Sequence, residues 1–242
     1  MRSFEAILAE QPYPLVFATI SGAHLYGFDS VDSDVDLRGV HILPFAEVAG
    51  LDLGPETLQD MSLRDGVEID LVTHDLLKFC RLLLRPNGYV AEQLLSPLVV
   101  VTSETHKELV DLAPKCLTRH HSHHYLGFSA KQWTLFEHSG ELKPALYNLR
   151  TLLTGIHLMR TGEVVADLRL LGTRIPYVPE LIAAKREAEH GKLVGVVTPQ
   201  QLSADVERLR AELTEAAESS ALPEKPSAKP DLHRLILRSR PS

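Results

Sequence analysis

The chain has 242 residues, 44% apolar and 24% charged, with a formal net charge of −7. That balance is ordinary for a globular protein and argues against a collagen-like, wholly disordered or membrane-spanning chain. Two cysteines, Cys80 and Cys116, cannot build a disulfide framework and point to a reduced, cytoplasmic protein.

In chain order, Met1 to Glu10 carries acids and only a short apolar stretch, so no secretory signal is expected. Leu15 to Ile20 is a compact apolar run between Pro14 and Ser21-Gly22, which predicts a buried strand. Val35, Leu37, Val40 and Ile42 predict a second strand, stopped by Pro44. Val67, Ile69 and Leu71 alternate with Glu68 and Asp70, which predicts a third strand with one partly acidic face. Thr73-His74-Asp75 is placed to cap a helix whose apolar positions run from Leu76 to Leu84, and Arg85-Pro86-Asn87-Gly88 ends it. A short helix over 90–95 and a strand over 98–101 follow. Beyond residue 103 the pattern becomes helical, over 104–113, 122–138, 143–161 and 200–218. The proline-bearing, base-rich segment 219–242 reads as a disordered tail. The expected organisation is α+β: a small mixed β-sheet domain over 1–103, a helical domain over 104–218, then the tail. No apolar run is long enough to cross a membrane. The acidic balance disfavours a general DNA-coating role, although a local basic face can still grip nucleic acid.

Chemistry concentrates between residues 20 and 40. A strand runs into a turn at Gly22-Ala23, and after a spacer of ten residues come Asp34 and Asp36. In a strand these two carboxylates share a face while Val35 and Leu37 point into the core. Two neighbouring carboxylates repel unless a cation lies between them. Hard divalent ions such as Mg²⁺ take oxygen ligands and commonly bridge carboxylates to substrate phosphates. A glycine at the turn lets backbone N–H groups approach a phosphate. The pattern therefore points to a triphosphate held by metal.

The string Gly22-Ala23 to Asp34-Val35-Asp36-Leu37 resembles the signature of the polymerase-β-like nucleotidyltransferases. The longer run Gly22-Ala23-His24-Leu25-Tyr26-Gly27 through Ser33-Asp34-Val35-Asp36-Leu37-Arg38-Gly39-Val40 is similar to a bacterial and phage branch associated with RNA repair. The resemblance continues through Ile69 to His74 and Asn87 to Glu92, and more loosely over Lys143 to Arg150. It implies a palm-like mixed sheet with a helical region and transfer of an NMP from an NTP to a hydroxyl, with pyrophosphate release. The implied acceptor is an RNA 3′ end. A protein or small-molecule hydroxyl, or nucleotide binding without catalysis, are the alternatives.

By that resemblance Asp34, Asp36 and Asp70 are the catalytic and metal-holding carboxylates, for Mg²⁺ or Mn²⁺. Glu68, on the same face, rivals Asp70. Gly22, Ala23, Arg38, Lys143, Tyr147 and Arg150 are the candidate substrate contacts. Arg38 is placed to touch a phosphate or to counter-charge Asp36. Lys143, Tyr147 and Arg150 share one helix face. Ala23 departs from the family pattern, which has a serine there whose hydroxyl contacts a phosphate. Tyr26 is placed to pack or to stack on a base. His120, His121, His123 and His124 read as solvated or nucleic-acid-facing rather than as a metal site, because no cysteine pair accompanies them. NTP and RNA are the expected partners, a membrane is not, and the oligomeric state is open with a lean to a homodimer.

Overall fold

A computed structural model describes residues 4–31, 33–64, 66–187 and 195–240. In chain order the elements are α1 Phe4–Ala9, β1 Leu15–Ile20, α2 Gly22–Tyr26, β2 Val35–His41, α3 Ala46–Ala49, β3 Thr57–Arg64, β4 Val67–Asp75, α4 Leu76–Leu83, α5 Gly88–Leu94 and β5 Val99–Val101. They continue with α6 Glu104–Leu112, α7 His121–Ser139, α8 Leu142–Thr161, α9 Leu168–Leu171, α10 Val178–Glu187, α11 Pro199–Glu218 and α12 Lys229–Ser239. The chain divides into two compact units. One comprises Met1–Gly22, Asp34–Cys116 and Lys225–Ser242, and the other Ala23–Ser33 and Leu117–Glu224.

The first unit is built on a sheet of order β3-β4-β2-β1-β5. The β2/β4 pair is parallel and the other neighbours are antiparallel, so the sheet is mixed as expected. On one face Val35, Leu37, Ile69 and Leu71 pack with Ala18 and with Leu8 of α1. At the other, Val16, Phe17, Val40 and Ile42 join α4, α5, α6 and α12 in a second core. The Asp75 carboxylate caps α4 by accepting from the Leu77 N–H, so Asp75 rather than His74 starts that helix. The His74 Nδ1 instead lies 3.0 Å from the Thr57 hydroxyl of β3.

The expected disordered tail is corrected: residues 229–239 form α12, which buries Leu232 and Leu235. Lys115 pairs with Asp231 at 2.9 Å, and Arg238 pairs with Glu108 of α6. Arg240 donates to both oxygens of Asp75, at 3.1 and 2.8 Å, and to the Leu43 carbonyl at 2.9 Å. Both partners are nearly buried, at 5% and 3% side-chain exposure. The expected boundary at residue 103 also differs, because α6 packs Leu109 into the sheet unit's core.

In the second unit α7 and α8 form a helical hairpin, and α11 packs beside α8. Gly155 of α8 makes this contact possible. A Cβ there would lie 3.0 Å from both Leu213 of α11 and Tyr125 of α7. Buried polar groups tie the same three helices. The Asn148 amide donates to the Ser129 carbonyl at 2.8 Å, and Arg210 donates to the Ser129 hydroxyl at 3.2 Å.

Candidate active site

Strands β2 and β4 run in a register that sets Asp36 opposite Asp70. Because side chains alternate along a strand, burial of Val35, Leu37, Ile69 and Leu71 turns Asp36, Arg38 and Asp70 to the other face. The Arg38 guanidinium lies between the two carboxylates. Its Nη2 donates to Asp36 Oδ1 at 2.6 Å and to Asp70 Oδ2 at 2.7 Å. Its Nη1 donates to the backbone carbonyls of Asp70 at 2.6 Å and Leu37 at 2.9 Å. Of the two roles open to Arg38 in the sequence, counter-charge is the one seen, and it extends to both aspartates. The Asp70 Oδ1 is buried without a hydrogen-bond partner among the described residues.

Gly22 is needed where β1 ends. Its φ is +59°, and a Cβ there would fall 1.8 Å from Asp36 Oδ2. The close approach inferred for this turn is thus made by the Asp36 carboxylate. The Ser21 N–H also donates to the Asp36 carbonyl at 2.8 Å, fixing β1 to the start of β2.

Asp34 is exposed, immediately before β2. It lines a cavity of about 250 Å³ together with Glu68, Asp70, Ile69 and three residues of β3: Met61, Ser62 and Leu63. The cavity thus takes in both Asp70 and its rival Glu68, but only Asp70 shares Arg38 with Asp36. Met61 and Leu63 are 75% and 68% exposed, so apolar surface flanks the acidic row. This β3 wall was missed in the sequence. The Asp65-Gly66 dipeptide between two extended runs was the signal that could have revealed it.

A divalent ion is what the resemblance implies here. The donor set suits a hard cation, with two aspartates in register on adjacent strands and one orphaned carboxylate oxygen. Among the described residues, however, no three His, Cys, Asp or Glu side chains gather closely enough to hold an ion as they stand.

Ala23, Lys143, Tyr147 and Arg150 belong to the second unit. Ala23 is buried, and its carbonyl accepts from the Phe28 N–H. Tyr147 of α8 meets Tyr26 and Phe28 edge-on, with ring centroids 5.5 and 5.2 Å apart. The Arg150 guanidinium lies 3.9 Å over the Tyr26 ring and is 1% exposed. Tyr26 therefore packs, and Lys143 is half-buried on the same helix.

The histidine cluster departs from the solvated reading. His121 is buried, its Nδ1 3.2 Å from the Thr118 N–H and hydroxyl, and burial lowers its pKa to about 4. Burial, reinforced by Arg150 and His121, also lowers His124 to about 4. Only His123 of the four is fully exposed. Cys80 and Cys116 are buried free thiols, with burial raising both to about 12.

Comparison with known proteins adds the family. Residues 1–238 match the RNA repair pathway DNA polymerase beta family, RlaP. The chain belongs to this family. An uncharacterized protein of Methanocaldococcus jannaschii is 33% identical to this RlaP chain over 154 residues, which are 63% of each protein. The RlaP chain thus spans under two thirds of that relative's length. A nucleotidyltransferase-like protein from Exiguobacterium sibiricum is similar in structure at 14% identity and a TM-score of 0.36, over 90% of this chain and 74% of its own. Among the described residues of this RlaP member, no helix is long and apolar enough to cross a membrane.

Proposed function

We propose that this RlaP-family chain is a metal-dependent nucleotidyltransferase that moves an NMP from an NTP to a hydroxyl, with pyrophosphate as leaving group and an RNA 3′ end as acceptor. The observation that carries the reading is the pairing of Asp36 with Asp70 across β2 and β4, in a chain of a DNA polymerase beta family. Asp34, Asp36 and Asp70 are the residues that would hold Mg²⁺ or Mn²⁺. The metal, when bound, supplies charge neutralisation at the phosphates and lowers the pKa of a coordinated hydroxyl.

The chain's own part is positioning. Gly22 leaves room for the Asp36 carboxylate against the turn, and the parallel register keeps Asp70 beside it. The 250 Å³ cavity, acidic on one wall and apolar along Met61 and Leu63, is proposed to receive the acceptor. In the sheet unit Gly22 is assigned to nucleotide contact; in the helical unit, taken by itself, Ala23, Lys143 and Tyr147 are the residues assigned to it. Arg150 is assigned to bracing Tyr26 beside Tyr147.

The test incubates the full chain with Mg²⁺ or Mn²⁺, each α-labelled NTP and a short 3′-hydroxyl RNA, and resolves the products on a denaturing gel. Wild type is expected to label the RNA, with the rate falling at least about 100-fold in Asp36→Asn and Asp70→Asn. Equal labelling by these variants would overturn the reading. Pyrophosphate released only with protein or small-molecule acceptors would move the acceptor and keep the chemistry.

A further inference from the structure

We propose that Arg38 is a built-in cation occupying the position between Asp36 and Asp70, and that a divalent ion loads by displacing it. The inference deepens the nucleotidyltransferase reading and rests on it.

Three observations carry it. First, one nitrogen, Arg38 Nη2, reaches a carboxylate oxygen of each aspartate at 2.6 and 2.7 Å. An ion held by Asp36 and Asp70 would need the carboxylates that Arg38 now engages, so the two cations would compete for them. Second, the guanidinium is also held by backbone acceptors. Its Nη1 is anchored on the Asp70 and Leu37 carbonyls, which are fixed by the sheet and do not depend on any ligand. Third, one guanidinium leaves the site under-neutralised. Asp34 and Glu68 line the cavity that Asp70 shares, and Asp70 Oδ1 stays buried and unpaired. A monovalent planar cation cannot satisfy that oxygen as well, whereas a divalent ion with short, flexible-number oxygen contacts can.

The Arg38 side chain is 19% exposed, so it has a short way out to solvent. The resting pair is thus protected from mutual repulsion without metal, and the cost is a weaker apparent metal affinity.

The experiment titrates Mn²⁺ into the full chain at mildly alkaline pH and low ionic strength, reading free Mn²⁺ by electron paramagnetic resonance. Wild type is compared with Arg38→Gln, Arg38→Lys and Asp36→Asn. Displacement predicts Mn²⁺ binding about tenfold tighter in Arg38→Gln than in wild type, because a competing charge has gone. Millimolar methylguanidinium should loosen binding in that variant, by refilling the place, and leave wild type unchanged. Metal-free Arg38→Gln should melt below wild type and gain more from saturating Mn²⁺. A purely structural arginine would lower melting without tightening Mn²⁺. If Arg38→Gln does not fold, Arg38→Lys, which loses the planar fork, should still bind Mn²⁺ more tightly than wild type. Equal or weaker binding by the Arg38 variants, with binding abolished in Asp36→Asn, overturns the displacement and leaves the nucleotidyltransferase reading standing. Mn²⁺ binding indifferent to Asp36→Asn overturns both.

Discussion

A methyl group at position 22 has nowhere to go. It would enter the Asp36 carboxylate at 1.8 Å from a backbone already at φ +59°. Gly22→Ala is therefore expected to push Asp36 out of register with Asp70. The variant should melt lower and lose most of the proposed nucleotide transfer, measured by thermal unfolding and the labelled-RNA assay. A fully active Gly22→Ala would mean that Asp36 need not lie against that turn. Much of this was legible at the level of single residues. The two-residue spacing of Asp34 and Asp36, and of Glu68 and Asp70, predicts a shared strand face for each pair; Asp36 lies in β2 and Glu68 and Asp70 in β4, whereas Asp34 precedes β2 and is not on a strand. The choice between Asp70 and Glu68 was not legible on residue type alone. It depends on the β2/β4 register, which sets Asp70 and not Glu68 opposite Asp36. The role of Arg38 depended on the same pairing, since its second aspartate lies 32 residues away in sequence.

Among the elements, α8 and α12 carry the sharpest consequences. Gly155→Val should force apart α7, α8 and α11, because a Cβ at that position already meets Leu213 and Tyr125 at 3.0 Å. Overpacking of this kind costs about 1–3 kcal/mol, and urea unfolding would read it. Arg240→Ala should cost more, about 3–5 kcal/mol, because it strands the buried Asp75 carboxylate without its cation. Replacing Asp75 and Arg240 together by Asn and Met should recover part of that loss. Strands β1, β2 and β4 and helices α6, α8 and α11 were readable from apolar periodicity, because each has a one-sided or largely buried pattern; β5 is exposed to half-buried and α7 buries mostly polar and aromatic side chains, so these two were legible from residue type and length instead. Strand β3 was not. It is an edge strand with Met61 and Leu63 facing outward, so the usual inward alternation is inverted and weak. Helix α12 was hidden by its prolines, yet Pro230 sits in the first turn, where the missing N–H costs nothing. The spacing of Leu232, Leu235 and Ile236 was the overlooked sign.

For the whole molecule, acid should act through buried imidazoles as well as carboxylates. His74, His121 and His124 are each lowered from 6.5 to about 4, burial being the main cause. In the unfolded chain they bind protons near pH 6.5, and in the folded chain only near 4, so stability falls as pH drops through that window. His121, the most deeply buried, accounts for a loss on the order of 3 kcal/mol. Asp75 adds to this at lower pH. Burial by itself raises its pKa, but bonds from Arg240 and from the Leu43 and Leu77 N–H groups outweigh that and hold it below the usual carboxylate range. Its contribution is present above the unfolded value and is lost as pH falls through the lowered one. Urea unfolding at stepped pH should show the first loss already between 6.5 and 5, and His121→Gln should flatten part of it.

The return of α12 to the sheet unit has a further consequence, for synthesis on the ribosome. The sheet and α6 are made by Cys116, but the helix that covers their core begins only at Lys229. At the usual pace of translation the interval is on the order of ten seconds. Throughout it, the apolar groove that will receive Leu232 and Leu235 is open, and Asp75 waits for Arg240. The nascent chain is therefore a natural client for a holding chaperone during that interval. A messenger truncated within α11 would release a product whose first unit can never close.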